Sequence, residues 1–155
     1  MKHVLSFILV TLFIQSTLAA APPNTVRPNI LIIFTDDQGW GDLACFGNEK
    51  NKTPRMDQLA REGTRFTQFY AQPVCGPSRS ALLTGRYPLR SQGWGMPASE
   101  VTWAELMTTA GYQTACIGKW DVSNRKAIID RMPNAQGFQY YFGALGANDG
   151  GKVTF

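Results

Sequence analysis

The run Ile30-Leu31-Ile32-Ile33-Phe34 leaves few folds open, because it is continuously apolar, rich in β-branched residues and short. Alternating polarity would mark a strand with one wet face. A continuous run of this length marks a strand buried on both faces, which belongs to a parallel sheet covered by helices. The segments that follow agree. Thr53 as N-cap and Pro54 in the first turn open a helix in which Met56, Leu59 and Ala60 recur at helical spacing, and Gly63 closes it. Thr64 to Tyr70 reads as a second strand, and Pro77 opens a second helix that runs through Leu82 and Leu83 to Gly85. A third helix is marked by a capping box of Thr102 and Glu105, by Val101 and Leu106 placed for a hydrophobic staple, and by Gly111 as the stop. Tyr112 to Ile117 is then a third strand. This alternation predicts an α/β fold with a mainly parallel sheet sandwiched by helices. Past Asp121 the pattern weakens: Ala127 to Met132 fits a helical turn, Phe138, Tyr140, Tyr141 and Phe142 fit a packing surface, and Lys152 to Phe155 looks like the start of a further strand.

The leading segment is of another kind. Lys2 and His3 precede an apolar run from Val4 to Ile14, which gives way to Ala19, Ala20 and Ala21, the pattern of a secretory signal peptide over residues 1–21. The run is shorter than the ~20 residues of a membrane helix, so the expectation is a secreted or periplasmic protein, cleaved near Ala20 to Pro22, with no membrane attachment afterwards. Loss of Lys2 lowers the net charge only from +4 to +3. Arg55, Arg61, Arg65, Arg79, Arg86 and Arg90 are interleaved with apolar and acidic residues rather than gathered, which argues against a nucleic-acid partner. Three cysteines, Cys45, Cys75 and Cys116, are too few and too dispersed for a disulfide framework or a CxxC metal site. An odd thiol in an oxidising compartment calls for a chemical reason.

Polar residues fall in equivalent places after the expected strands: Asp36 and Asp37 after the first, Cys75 a few residues after the second, Lys119 after the third. The carboxyl ends of parallel strands open on the ligand crevice, so these residues are expected to converge. Adjacent carboxylates are hard oxygen donors suited to Ca2+ or, less well, Mg2+, although from these two residues alone a turn cap is the plainer reading. Lys119 alone could be an ordinary surface charge. Cys75 alone could be a buried structural thiol, but that would explain neither Pro77 nor Arg79. A cysteine at a helix start sits where the dipole and free N–H groups favour an anion, and Arg79, one turn on, adds a fixed fork of donors.

The stretch Cys75-Gly76-Pro77-Ser78-Arg79-Ser80-Ala81-Leu82-Leu83-Thr84-Gly85-Arg86 resembles the sulfatase signature, in which C-x-P-x-R directs an activating enzyme to convert the cysteine to formylglycine. Arg27-Pro28-Asn29-Ile30 leading to Thr35-Asp36-Asp37-Gln38-Gly39, the helix from Thr53 followed by Arg65-Phe66, and Ala110-Gly111-Tyr112 leading to Ile117-Gly118-Lys119-Trp120 extend the likeness over nearly all of residues 22–155. The resemblance implies a sulfuric ester hydrolase of the alkaline phosphatase superfamily. Asp36 and Asp37 would be the first carboxylate ligands of a Ca2+ ion, and Cys75, as formylglycine, both nucleophile and metal ligand. Arg79 would orient the hydrated aldehyde, and Lys119 would hold a sulfate oxygen. One hydroxyl of the hydrate would attack sulfur as the S–O bond to the alcohol breaks and the alcohol leaves, and the other would then expel sulfate by re-forming the aldehyde, which serine could not do. The implied partners are a sulfated carbohydrate or aryl sulfate and a formylglycine-generating enzyme.

Two departures from the family pattern stand out. The family usually carries His two residues after the lysine, where this chain has Asp121. Family members also run to several hundred residues, with further metal ligands downstream, so the sequence reads as the N-terminal part of a truncated catalytic domain, inactive as it stands. A phosphatase or phosphodiesterase of the same superfamily is the alternative enzyme, disfavoured because those relatives commonly use Ser or Thr as nucleophile. A noncatalytic remnant is the alternative of another class.

Overall fold

The computed structural model describes residues 27–91, 95–122 and 131–146. The signal peptide, most of the turn expected over Ala127–Met132 and the strand expected from Lys152 lie outside them. The chain divides into two compact units, Met1–Phe34 and Thr35–Phe155.

In the first unit the described residues carry no regular secondary structure, and the apolar run is exposed, Leu31 by 83% and Ile33 by 67%. The expected strand is therefore not in a ladder. A strand buried on both faces needs neighbouring strands and covering helices, and no ladder among the described residues includes this run.

In the second unit, two single 3-10 turns, Trp40–Asp42 and Ala44–Phe46, precede helix α1, Pro54–Glu62. Pro54 starts it as expected, but the Thr53 hydroxyl does not cap it. That hydroxyl donates to Asp57 Oδ1 at 2.9 Å and accepts from the Ala44 N–H at 3.0 Å, tying the helix start to the preceding turn. Thr64 to Tyr70 is not a strand: the chain bends at Thr67 and Gln68, and Phe66 and Phe69 bring their rings to 5.9 Å of each other while both stay exposed. Helix α2 spans Cys75–Thr84, two residues earlier than Pro77 suggests, and ends at Gly85, whose φ of 65° is the left-handed cap geometry that glycine favours.

Helix α3, Trp103–Thr109, begins with the capping box that its sequence announces: the Glu105 N–H donates to Thr102 Oγ1 at 3.2 Å and the Thr102 N–H to Glu105 Oε2 at 2.7 Å. Strand β1, Ala115–Ile117, is the core of the third expected strand. It pairs in parallel with β2, Tyr140–Phe142, in the register Ala115 to Tyr140, Cys116 to Tyr141 and Ile117 to Phe142. So the aromatic cluster read as packing surface contains a strand; two of its residues face outward, 57% and 59% exposed, which obscured the alternation. The fold is α/β with parallel pairing, as expected, and among the described residues its sheet has two strands.

The core forms where this sheet meets α2 and α3. Leu83, Met96, Ala104, Trp120, Val122 and Phe138 make one buried cluster, and Phe138 stands edge-on to Trp103 at 5.5 Å and to Trp120 at 5.8 Å. Gly137, with φ of 90°, lies so close to the start of α3 that a Cβ there would overlap the Glu105 nitrogen. Pairing continues past the strands: Gly118, Trp120 and Asp121 donate N–H groups to the carbonyls of Phe142, Ala144 and Leu145 at 2.8, 2.8 and 3.1 Å. That extension carries residues 118–121 off the carboxyl end of β1 as a fixed loop rather than a loose one.

Candidate active site

Five side chains meet at the start of α2. Cys75 is its first residue, and the turn before it is held by Ser78, whose Oγ donates to the Gln72 and Val74 carbonyls at 3.1 and 2.8 Å and accepts from the Gln72 N–H at 3.0 Å. Arg79 follows one turn later and is buried. Its Nη1 donates to the Lys119 carbonyl at 2.7 Å, and its Nη2 pairs with Asp36 Oδ1 at 3.3 Å. Lys119, its side chain only 5% exposed, reaches the other Asp36 oxygen at 3.0 Å and Asp121 Oδ2 at 3.6 Å. The Cys75 thiol donates to that same Asp121 oxygen at 3.3 Å. Asp36, Cys75 and Lys119 therefore converge as expected, with Arg79 between them, although among the described residues only Lys119 follows a strand.

Asp37 is different. It is exposed, it has a left-handed backbone with φ of 53°, and no hydrogen bond or ion pair joins it to the other four. The fifth member is Asp121, buried and also left-handed, with φ of 42°. The sequence marked it only as a departure from pattern. The signal that could have placed it in the site is its position two residues after Lys119 on the same loop.

The charges tune one another. Burial alone would raise the Asp36 carboxyl, but hydrogen bonds from Lys119 and Arg79, with their positive charges, outweigh it and hold Asp36 below the usual carboxylate range. Burial likewise opposes the Lys119 ammonium, and the hydrogen bonds to Asp36 and Cys75 with their charges overcome it, so Lys119 stays protonated well above its ordinary range. Behind the site, burial pushes the half-buried Cys116 thiol up, with the Arg79 charge opposing. All three cysteines are free thiols.

Asp36 and Asp37 offer hard oxygens of the right chemistry for a divalent cation, but they are too few for the six or so ligands that Ca2+ takes. Among the described residues no group of three or more His, Cys, Asp or Glu is gathered to hold a metal. A separate cavity of ≈ 630 Å3, lined by Cys45, Asp57, Arg61 and Arg65 among others, contains none of the five site residues. No helix of the described residues is long and apolar enough to cross a membrane.

An α/β scaffold that presents a thiol at a helix start, beside an arginine and a lysine, brings together the residue types that suit a nucleophile and an oxyanion. Comparison with known proteins gives that class a family. The sulfatase family model matches residues 28–151. The chain is 44% identical over 135 residues to arylsulfatase G of Rattus norvegicus, covering 81% of this chain and 25% of that protein. It is 42% identical to arylsulfatase A of Homo sapiens, covering 90% of this chain and 29% of that protein. Among solved structures, Ps i-CgsB in complex with k-i-k-neocarrahexaose matches with a TM-score of 0.66 at 34% identity, over 72% of this chain and 27% of that one. A 6S-sulf protein from a study of glycosaminoglycan metabolism by Bacteroides thetaiotaomicron matches with a TM-score of 0.71 at 36% identity, over 81% and 30%. The chain belongs to the sulfatase family, and it spans between a quarter and a third of the length of these relatives.

Proposed function

We propose that this chain is the nucleophile-bearing N-terminal part of a sulfatase that hydrolyses sulfate esters through a formylglycine made from Cys75. The observation that carries the reading is the meeting of Cys75, Arg79, Lys119 and Asp36 at one helix start, from three separate stretches of sequence. Formylglycine supplies a hydrated aldehyde, a nucleophile that regenerates itself. The rest is the work of this chain's own residues. The Lys119 ammonium, held protonated between Asp36 and Asp121, would turn to neutralise an ester oxygen when substrate enters, and Arg79 fixes the Lys119 backbone and the Asp36 carboxylate with the two ends of its guanidinium. Asp36, Asp37 and residue 75 would contribute ligands to a Ca2+ ion, with the remaining ligands supplied by sequence beyond the described residues. Its cleavage by a signal peptidase after residues 1–21 and its export to the periplasm or medium belong to the same proposal, as does encounter with a formylglycine-generating enzyme.

The relatives' names motivate the substrate class: aryl sulfates, and sulfated carbohydrates of the kind carried by the carrageenan-oligosaccharide complex. The coverage of relatives and the exposed apolar run Ile30–Phe34 favour a longer functional polypeptide over a self-sufficient one. The test is release of a coloured phenol from an aryl sulfate, with calcium, by the full-length protein carrying this chain. The reading requires turnover by the wild type and none above background by Cys75→Ser. Equal turnover by both would remove Cys75 from the mechanism.

A further inference from the structure

We propose that Asp121 is a specificity residue, a buried negative charge set against residue 75 that makes the site prefer sulfate monoesters to phosphate monoesters. This rests on the sulfatase reading of the same site. The two esters share tetrahedral shape and nearly share size, so shape cannot separate them. Charge can. A sulfate monoester carries one negative charge, whereas a phosphate monoester, with a second pKa near ~6, carries two at about pH 8.

Asp121 is placed to read that difference. Its side chain is 1% exposed, so water screens it little. One oxygen, Oδ2, both accepts from the Cys75 thiol at 3.3 Å and lies 3.6 Å from Lys119 Nζ. Lys119 is thus shared between two carboxylates, Asp36 and Asp121. Among these four side chains the two acids and the two bases, Arg79 and Lys119, cancel formally, and an uncharged residue at 121 makes the same set more positive by one charge. An ester held for attack by residue 75 must bring its oxygens close to Asp121, and a second negative charge on that ester doubles the repulsion. At about 4 Å and an effective dielectric near ~20, one extra charge pair is worth on the order of 10³-fold in binding of the transition state, and at about 8 Å on the order of 30-fold, so a shift of 10-fold or more is what the charge predicts.

The backbone keeps the charge in place. Asp121 is left-handed, and its N–H is tied to the Leu145 carbonyl at 3.1 Å. Asparagine tolerates that backbone as aspartate does and copies its shape, so Asp121→Asn removes the charge and little else.

The experiment compares kcat/KM for p-nitrophenyl phosphate and p-nitrophenyl sulfate at about pH 8 in the full-length enzyme, with formylglycine occupancy at residue 75 matched by mass spectrometry. Asp121→Asn is expected to raise the phosphate-to-sulfate ratio by on the order of 10-fold or more, and Asp121→Glu, which keeps the charge, to leave the ratio near the wild-type value. Should the Asn variant not fold, Asp121→Gly, which accepts the left-handed backbone, must give the same shift. A ratio that stays put while both activities fall together would mean that Asp121 only supports Lys119, and would overturn the inference alone. A wild type that cleaves the phosphate ester and not the sulfate would overturn the sulfatase reading and the inference together.

Discussion

Asp36 joins two elements of the site through one side chain. Its two oxygens are divided between Arg79 and Lys119, so removing it takes a carboxylate from two nearly buried cations at once. Asp36→Ala in the full-length enzyme is expected to lower kcat by ~10²-fold or more, measured with an aryl sulfate at matched formylglycine occupancy. An unchanged kcat would show that Arg79 and Lys119 are positioned by other groups. Tyr141 gives a residue-scale prediction about stability. Burial pushes its hydroxyl up to about 12, with the negative charge of Cys116 adding to the shift. A folded-state value raised above the ordinary ~10 contributes stability that is complete below about pH 10 and is lost as pH rises toward about 12. Melting temperatures across that window should therefore fall less for Tyr141→Phe than for the wild type. Parallel curves would contradict the assignment. In the sequence, Asp36, Cys75 and Lys119 were legible because each follows an apolar, strand-like stretch, and Arg79 because it stands one helical turn after Cys75 in the C-x-P-x-R pattern. Asp121 was not, because beyond its position two residues after Lys119 its place in the site is fixed by a pairing between residues 118–121 and 142–145, which are distant in sequence.

At the scale of elements, the helices were read well and the strands poorly, for a physical reason. A helix closes its own hydrogen bonds, so its caps are written locally: Pro54 and Gly63 bound α1, Gly85 ends α2, and Thr102 with Glu105 starts α3. A strand is completed by a neighbour distant in sequence. The Ile30–Phe34 run and the stretch from Thr64 to Tyr70 have strand composition without a ladder among the described residues, whereas Tyr140–Phe142 forms one beside β1. The start of α3 is the joint on which this packing turns. Thr102 is fully buried, caps the helix and donates from Oγ1 to the Gln136 carbonyl at 2.8 Å. Thr102→Ala is expected to cost about 1–3 kcal/mol in denaturant unfolding, one cap plus one buried acceptor left without its donor. Gly137→Ala should cost ~3 kcal/mol or more, since the added methyl meets the Glu105 nitrogen and the backbone there is left-handed. A smaller loss for Gly137→Ala than for Thr102→Ala would mean that the two segments slide apart easily.

At the scale of the molecule, membership of the sulfatase family bears on the chemistry of one thiol, Cys75. A chain covering 25% of one arylsulfatase and 29% of another holds Cys75, the proposed nucleophile, beside Arg79 and Lys119, and among the described residues no group of three or more His, Cys, Asp or Glu gathered for a calcium ion. Titration calorimetry should accordingly find Ca2+ binding by the 155-residue chain far weaker than by the full-length protein. Comparable affinities would mean that this chain completes the metal shell by itself. The most direct test lies in the mass of the peptide containing Cys75, isolated after expression in a host with a formylglycine-generating enzyme and a known substrate of that enzyme as control. Pro77 and Arg79 stand in register with Cys75, so the account predicts the aldehyde mass, with one oxygen in place of the sulfur and two hydrogens of the thiol side chain. Unmodified thiol alone at Cys75, with the control substrate converted alongside, would contradict it.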